Sequence, residues 1–162
     1  MNPTITIQKF PEKNQMIIKH SYHDALETIW NAHLKTEILE KWWAPEPYKT
    51  VVVKNDFSNG GFMLYYMLSP TGEKHYCLAA FSAIINLKSY TVLDAFCDEN
   101  AVINMEFPRQ KWYNTFEENN GITTVTNTIQ FQSKEDMEKI VQMGFEEGYT
   151  IALNQLYKLL NN

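Results

Sequence analysis

The stretch SKEDMEKIVQMGFEEGYTIALNQLYKLL, Ser133 to Leu160, decides the reading of the whole chain. Its residues Met137, Ile140, Val141, Phe145, Tyr149, Ala152, Leu156 and Leu159 recur every three or four positions, which draws one apolar stripe along a helix. Ser133 starts the segment, and Glu135 and Asp136 place negative charge where a helix dipole favours it. One long helix from Ser133 to about Leu160 is therefore expected. Gly144 and Gly148 sit on or beside the stripe, one turn apart. Each costs a helix interior about 1 kcal/mol relative to alanine. Two of them imply a close approach to a sheet, or something that fits against the helix.

Upstream of that helix the period is mostly two. TITIQKF (Thr4 to Phe10) and QMIIKHSY (Gln15 to Tyr22) read as strands around a PEKN turn. From Lys49 onward, TVVVKNDF, GGFMLYYML, KHYCLAAFSAII, SYTVLDAF, KWYNTFE and ITTVTNTIQF are six more strand-like segments. Ser58-Asn59-Gly60-Gly61, Pro70-Thr71-Gly72 and Asn119-Asn120-Gly121 supply turn chemistry between them. Asp98 to Gln110 has no clear period and reads as irregular. Between the hairpin and these strands lies DALETIWNAHL, where Asp24 and Glu27 suggest a capping box. Thr36 is placed to cap a second short helix, TEILEKWW, which Pro45 and Pro47 stop. A curved antiparallel sheet must have one face covered, and only the terminal helix is long enough to cover it. The expected architecture is an α+β helix grip over residues 1–162, with two short helices closing one end and a cleft between sheet and helix.

Composition removes several function classes. The net charge is −5 and Lys and Arg form no patch, so nucleic acid is not expected as a partner. No apolar run approaches the length of a membrane span. MNPTITIQKF lacks the basic-then-apolar pattern of a secretory signal, which suggests a cytoplasmic setting. Cys77 and Cys97 have no CxxC spacing and no histidine cluster beside them, so neither a metal nor a cofactor is expected. His20, His23, His33 and His75 are scattered, and no serine sits in a GxSxG elbow. No catalytic residue is assigned. Aromatic residues at 14% point instead to a core or a pocket built from rings.

Ordered motifs carry a resemblance. They are Ile29-Trp30-Asn31-Ala32, Leu39 to Pro45 (LEKWWAP), Asp56 with Gly60-Gly61, Gly72 to His75 and Phe96 to Glu99. Thr123 to Thr128, Phe131 and MGFEEGY (Met143 to Tyr149) complete the set. From about Ile17 to the C-terminus the chain resembles the homologues of the activator of the ninety-kilodalton heat-shock chaperone's ATPase, within the START-like (SRPBCC) superfamily. That resemblance implies a helix-grip fold whose interior cavity holds an apolar or aromatic small molecule in many relatives. It implies no shared catalytic residues. The chaperone activator has a separate N-terminal domain that takes part in chaperone binding, and residues 1–16 read only as an added strand, so chaperone binding is not expected. The family's arginines on the outer face of the Gly-Gly strand are here Phe62, Leu64 and Tyr66, and Ala79 stands in the next strand where glycine is usual.

With the family pattern setting the strand phase, the expected cavity wall is Trp43, Met63, Tyr65, Met67, Tyr90, Phe96, Phe145, Gly148 and Tyr149. Asp94 and Asn127 interrupt apolar inward rows. They are either polar anchors for a ligand or groups satisfied by each other, by a tyrosine hydroxyl or by water. Trp42 and Trp43 are about 100° apart on a helix, so one is expected to plug the core and the other to form the cavity wall or lid. The outward row Phe62, Leu64, Tyr66 calls for a homodimer interface or for cover by the N-terminal hairpin. The function expected is binding of a small apolar or aromatic molecule. The alternatives are a polyketide cyclase or aromatase-like enzyme drawing on Asp94, His75 or Tyr65, and a stress-related interaction module.

Overall fold

The computed structural model describes residues 4–161. Thr4–Phe10 (β1) and Gln15–Tyr22 (β2) form a hairpin, closed by Asn14 in the left-handed region at φ 53°. Asparagine tolerates that conformation because its short polar side chain can bond locally. Two short helices follow, Leu26–Leu34 (α1) and Thr36–Leu39 (α2). The strands Lys49–Asn55 (β3), Phe62–Leu68 (β4), Lys74–Ile85 (β5) and Ser89–Phe96 (β6) come next. Lys111–Asn119 (β7) and Ile122–Gln130 (β8) complete the sheet, before the helices Lys134–Gln142 (α3) and Phe145–Leu160 (α4).

All eight strands pair antiparallel in the order β1-β2-β8-β7-β6-β5-β4-β3. β2 pairs with β8 rather than β3, so α1 and α2 carry the chain from one end of the sheet to the other. Register shifts between Val52 and Lys54, and between Ser82 and Ile85, bend the strands they interrupt. The curved sheet wraps a core in which α4 buries Tyr149, Ala152, Leu153 and Leu156 against β2, β7 and β8 residues such as Ile18, Phe116, Val125 and Ile129. From α1, Trp30 reaches into the same core, with its ring 4.9 Å from Phe116 and 5.6 Å from Tyr90. This is the helix-grip arrangement.

Several expectations change in detail, and α2 ends at Leu39, so Trp42 and Trp43 lie in the turn beyond it rather than on the expected helix TEILEKWW. The terminal helix is two helices, because Gly144 at φ 86° ends α3 and opens α4. A left-handed residue cannot lie inside a right-handed helix, and glycine adopts that conformation without steric cost. Ser133 caps α3 by accepting from the Asp136 N–H at 3.0 Å. The Asp24–Glu27 capping box does not form; Glu118 on β7 accepts from the Leu26 N–H at 2.7 Å and takes that place. Thr36 lies inside α2 rather than capping it, and its hydroxyl accepts from Asn55 Nδ2.

The outward row on β4 is covered in part by the chain itself, at Leu64 and not by the N-terminal hairpin, while Phe62 and Tyr66 stay partly exposed. Leu64 is only 6% exposed and packs with Leu78 and Ala95, beneath Ala101 and Ile103 of the irregular segment after β6. Asp98 holds that segment in shape by accepting from the Asn100 and Val102 N–H groups at 2.8 and 2.9 Å. The N-terminal hairpin lies beyond β8, four strands from β4, and does not provide the cover.

Candidate functional site

Among the described residues, a cleft and a smaller chamber lie between the sheet and the helices. The larger, about 280 Å³, is a cleft at the α3–α4 junction. Its sheet side carries Met67, Cys77, Asp94, Phe96 and Trp112, and its helix side Ile140, Met143, Gly144, Phe145, Gly148 and Tyr149. The smaller, about 80 Å³, lies deeper, among His33, Asn55, Met63, Phe81, Tyr90, Asn114 and Asn127. Trp43, Tyr65, Asp94, Trp112 and Tyr149 line both, and so form the wall between them.

The break at Gly144 helps to make the outer cleft. It lets the chain turn between α3 and α4, so that both helices face the mouth. Gly148 then faces the loop after Trp43, where an added Cβ would sit 3.6 Å from Pro45. Gln155 on α4 pins that loop: its amide nitrogen donates to Trp42 O at 2.9 Å and Ala44 O at 2.8 Å, and its oxygen accepts from the Glu46 N–H at 2.8 Å. The two tryptophans are thereby fixed in different roles. Trp42, 1% exposed, donates to the Ala32 carbonyl at 2.9 Å inside the core. Trp43 donates to the Tyr65 hydroxyl at 3.0 Å in the partition between the cavities. Its ring lies 6.0 Å from that of Tyr149, which lies 5.6 Å from Trp112.

The polar groups in this wall are engaged. Asp94 Oδ1 accepts from the Gln110 N–H at 2.8 Å, and Oδ2 accepts from the Trp112 indole at 3.0 Å. Burial raises its pKa to about 6, against the lowering effect of those two donors and of the nearby Arg109 guanidinium. The Asp94 carboxyl therefore titrates within the cleft near neutral pH. Burial also holds the Tyr65 and Tyr149 hydroxyls well above their ordinary pKa and pushes the Cys77 thiol up to about 12, so all three are neutral. His75 stands half-exposed on the rim, 3.9 Å from Glu73 Oε2.

Behind the partition runs a buried hydrogen-bond chain. Tyr22 donates to His20 Nδ1 at 2.7 Å, and His20 Nε2 donates to Asn127 Oδ1 at 2.9 Å. The Tyr149 hydroxyl donates to the same oxygen at 2.7 Å, and Asn127 Nδ2 donates to Asn114 Oδ1 at 2.6 Å. The His20 tautomer follows, since the amide oxygen of Asn127 only accepts. His33 stacks on His20 at 5.7 Å. Burial lowers His20 to about 3, with His33 adding to the effect, and lowers His33 to about 4.

Every residue anticipated for the cavity wall lines one cavity or both. Met67, Phe96, Phe145 and Gly148 face the cleft, Met63, Tyr90 and Asn127 the chamber behind it, and Trp43, Tyr65, Asp94 and Tyr149 both. Asp94 and Asn127 do not meet each other; each has its own set of partners. Trp112, His33, Asn55, Gln110 and Asn114 were not anticipated. Trp112 and Asn114 could have been found, because they alternate with Phe116 along β7 and share its inward phase. His33 shares the helical spacing of Ile29 and Trp30, which marks it as inward but not as part of a cavity, and Asn55 carries no such signal.

The geometry has close counterparts. Protein Ms6760 from Mycobacterium smegmatis shares 29% identity over 97% of each chain, with a TM-score of 0.88. A protein from Arthrobacter aurescens shares 26% identity over 96% of this chain and 91% of its own, with a TM-score of 0.90. One from Staphylococcus epidermidis shares 29% identity over 96% of this chain and 93% of its own, with a TM-score of 0.84. No curated protein matches the chain. Residues 25–161 match the family described as Activator of Hsp90 ATPase homolog 1-like protein, and the chain belongs to that family.

Proposed function

We propose that this protein binds a small apolar or aromatic molecule in the cleft between the sheet and α4. The observation that carries this reading is the outer cavity of about 280 Å³, walled by Trp43, Met67, Phe96, Trp112, Phe145 and Tyr149. Aromatic rings offer area and edge-to-face contacts to a flat ligand, and the methionines adapt to its outline. Few polar atoms meet that space, so affinity comes from burial and orientation from the Tyr65 hydroxyl and Asp94. Among the described residues no helix is long and apolar enough to cross a membrane. We place the binding in the cytoplasm, where two unpaired thiols, Cys77 and Cys97, stay reduced.

Native mass spectrometry of protein purified without refolding tests the reading, followed by solvent extraction of whatever is bound. A co-purifying organic molecule of defined mass, displaced when Trp43 or Phe145 is replaced by alanine, is the expected result. Persistently empty protein that takes up no naphthalene-sized apolar probe would count against it.

One observation favours a second reading, in which the cleft moves a proton on its ligand. Asp94 presents to the cavity a carboxyl with pKa about 6, a value suited to general acid–base work near neutral pH. A bound polyketide-like carbonyl compound whose turnover follows one ionisation near pH 6 and vanishes in Asp94→Ala would establish that reading. A homodimer through Phe62, Leu64 and Tyr66 has less to bury, because the chain's own Ala101 and Ile103 already cover Leu64.

A further inference from the structure

The sheet is open, with β1 at one edge and β3 at the other. An edge strand offers unpaired N–H and C=O groups to any chain that can pair with them, and folded proteins guard such edges with bulges, charge, proline or cover. The β3 edge is guarded. A register shift between Val52 and Lys54 distorts it, and Glu40 Oε2 accepts from the Val52 N–H at 2.9 Å. Thr50 is tied to the loop before β3, its Oγ1 accepting from the Ala44 N–H at 2.8 Å. β1 has none of these devices. It runs from Thr4 to Phe10 in unbroken register with β2 and contains no proline. Its one charge, on Lys9, is drawn to Glu146 of α4 at 2.8 Å instead of standing at the edge.

The hydrogen-bond phase identifies the open groups. The Phe131 N–H donates to Asn14 O at 2.8 Å, so Asn14 and every second residue after it along β2 bond toward β8. Gln15, Ile17, Lys19 and Ser21 therefore bond toward β1, where they face Phe10, Gln8, Thr6 and Thr4. Ile5, Ile7 and Lys9 are left sending their N–H and C=O groups outward. Among the described residues, no backbone partner meets these groups. Their side chains turn inward: Ile5 and Ile7 pack against the core, and Lys9 reaches Glu146.

We propose that β1 is an interface for a second copy of this chain, the two edge strands pairing antiparallel about a two-fold axis at Ile7. The register selects that axis. With Ile7 opposite its own counterpart, Lys9 faces Ile5 of the second copy, and every outward N–H and C=O of the three residues meets its complement. Moving the axis to Gln8 sets Ile5 against Pro11, which has no N–H to give. Moving it to Thr6 sets Lys9 beyond the first residue of the strand. On the other face of the pair Thr6 lies opposite Gln8 and Thr4 opposite Phe10, so no like charges are opposed. Closure argues for a second copy. The two-fold pairing consumes both open edges and leaves the joined sheet with its guarded β3 edges alone, so assembly stops at two. A foreign peptide adding to a sheet edge gains its specificity from side-chain pockets, and neither cavity borders β1. The edge offers a backbone match only, and the strand's own sequence supplies it. The contact is narrow, so the dimer is reversible and forms as concentration rises.

Sedimentation velocity of the full chain from about 5 to about 500 μM, a range that spans weak association, should show the mass rising from 19.0 kDa toward twice that value. Amide hydrogen exchange over the same range reads the strand itself. The Ile5, Ile7 and Lys9 amides should exchange freely in dilute protein and slow at least about threefold at the highest concentration. Thr6 and Gln8, bonded to β2, should be protected throughout. Ile7→Pro removes an outward N–H that β2 does not use, so this variant should fold and sediment as a monomer over the whole range. If it does not fold, the exchange pattern decides alone. A chain that stays monomeric at every concentration would overturn the proposal and leave the edge to an extended segment of another protein. A dimer that forms without protecting the three amides, or that Ile7→Pro leaves intact, would also overturn it and place the interface elsewhere, with the partly exposed Phe62 and Tyr66 of β4 as the next surface.

Discussion

Asn127 has more at stake than any other side chain of the buried hydrogen-bond chain. Its amide accepts from His20 and from Tyr149 and donates to Asn114, all inside the protein. Asn127→Leu keeps the volume and removes all three bonds, stranding an imidazole N–H, a phenol and an amide oxygen. At about 1–3 kcal/mol for each stranded group, the expected loss is roughly 3 kcal/mol or more, read as a lowered urea midpoint with the slope unchanged. A loss below about 1 kcal/mol would show that water or rearranged side chains can replace the network. This part of the site is where the sequence was least informative. That Asn127 interrupts an apolar row is visible from the alternation of Val125, Ile129 and Phe131. Its partners are not, because they lie 107, 22 and 13 residues away and are brought together only by β2–β8 pairing, β7–β8 pairing and the docking of α4. The tryptophan pair is the intermediate case. Read as adjacent helical positions, the two rings point in different directions, and the division of roles between Trp42 and Trp43 holds although α2 ends at Leu39 and both tryptophans lie in the turn beyond it. Which ring takes the core depends on the Ala32 carbonyl and the Tyr65 hydroxyl, and neither is near in sequence.

Among the elements, the α3–α4 junction separates two glycines that look equivalent along the chain. Gly144 has φ 86° and nothing crowding the place of its missing Cβ, so its constraint is conformational. Gly148 has ordinary helical geometry and would bring a Cβ to 3.6 Å from Pro45, a normal contact. Alanine should therefore act oppositely at the two positions. Gly144→Ala forces a side chain into the left-handed region and should cost about 1–2 kcal/mol. Gly148→Ala should add up to about 1 kcal/mol of helix stability, while narrowing the cleft it lines. Thermal unfolding of the two variants checks this, at roughly 2–4 °C per kcal/mol for a chain of this size. Equal effects at both sites would refute the division. The apolar period runs almost unbroken through both helices, which is why one helix is the natural reading of Ser133 to Leu160. The break comes from a single backbone torsion, and glycine identity alone does not distinguish that use from close packing. The strands were far more legible, because a half-buried strand shows its alternation in every pair of residues and glycine turns bound it. Caps depend on distant partners and were legible only at Ser133, whose own hydroxyl does the work.

For the whole molecule, the interior titratable groups set the response to acid. His20 and His33 are held at about 3 and about 4, below the 6.5 of an exposed imidazole. As pH falls below 6.5 the unfolded chain takes up two protons that the folded protein refuses, so the two histidines withdraw stability progressively toward pH 4. Asp94 acts in the opposite sense. Its folded pKa of about 6 lies above the ordinary 3.8, so the folded protein binds that proton first, and the resulting stability is lost as pH rises through 6. Between pH 6 and pH 4 one carboxyl thus offsets one of two imidazoles, and the unfolded chain remains about one proton ahead. At 1.36 kcal/mol for each proton and pH unit, stability should fall by roughly 2 kcal/mol between pH 7 and pH 5. Urea unfolding at pH 7, 6 and 5 measures it directly. The steepest part of the loss should begin near pH 6.5, where both imidazoles of the unfolded chain titrate before Asp94 has taken its proton. A stability that holds steady or rises on acidification would mean that at least one imidazole charges inside the fold, and would require a water path or an acceptor reaching the chamber beside His33.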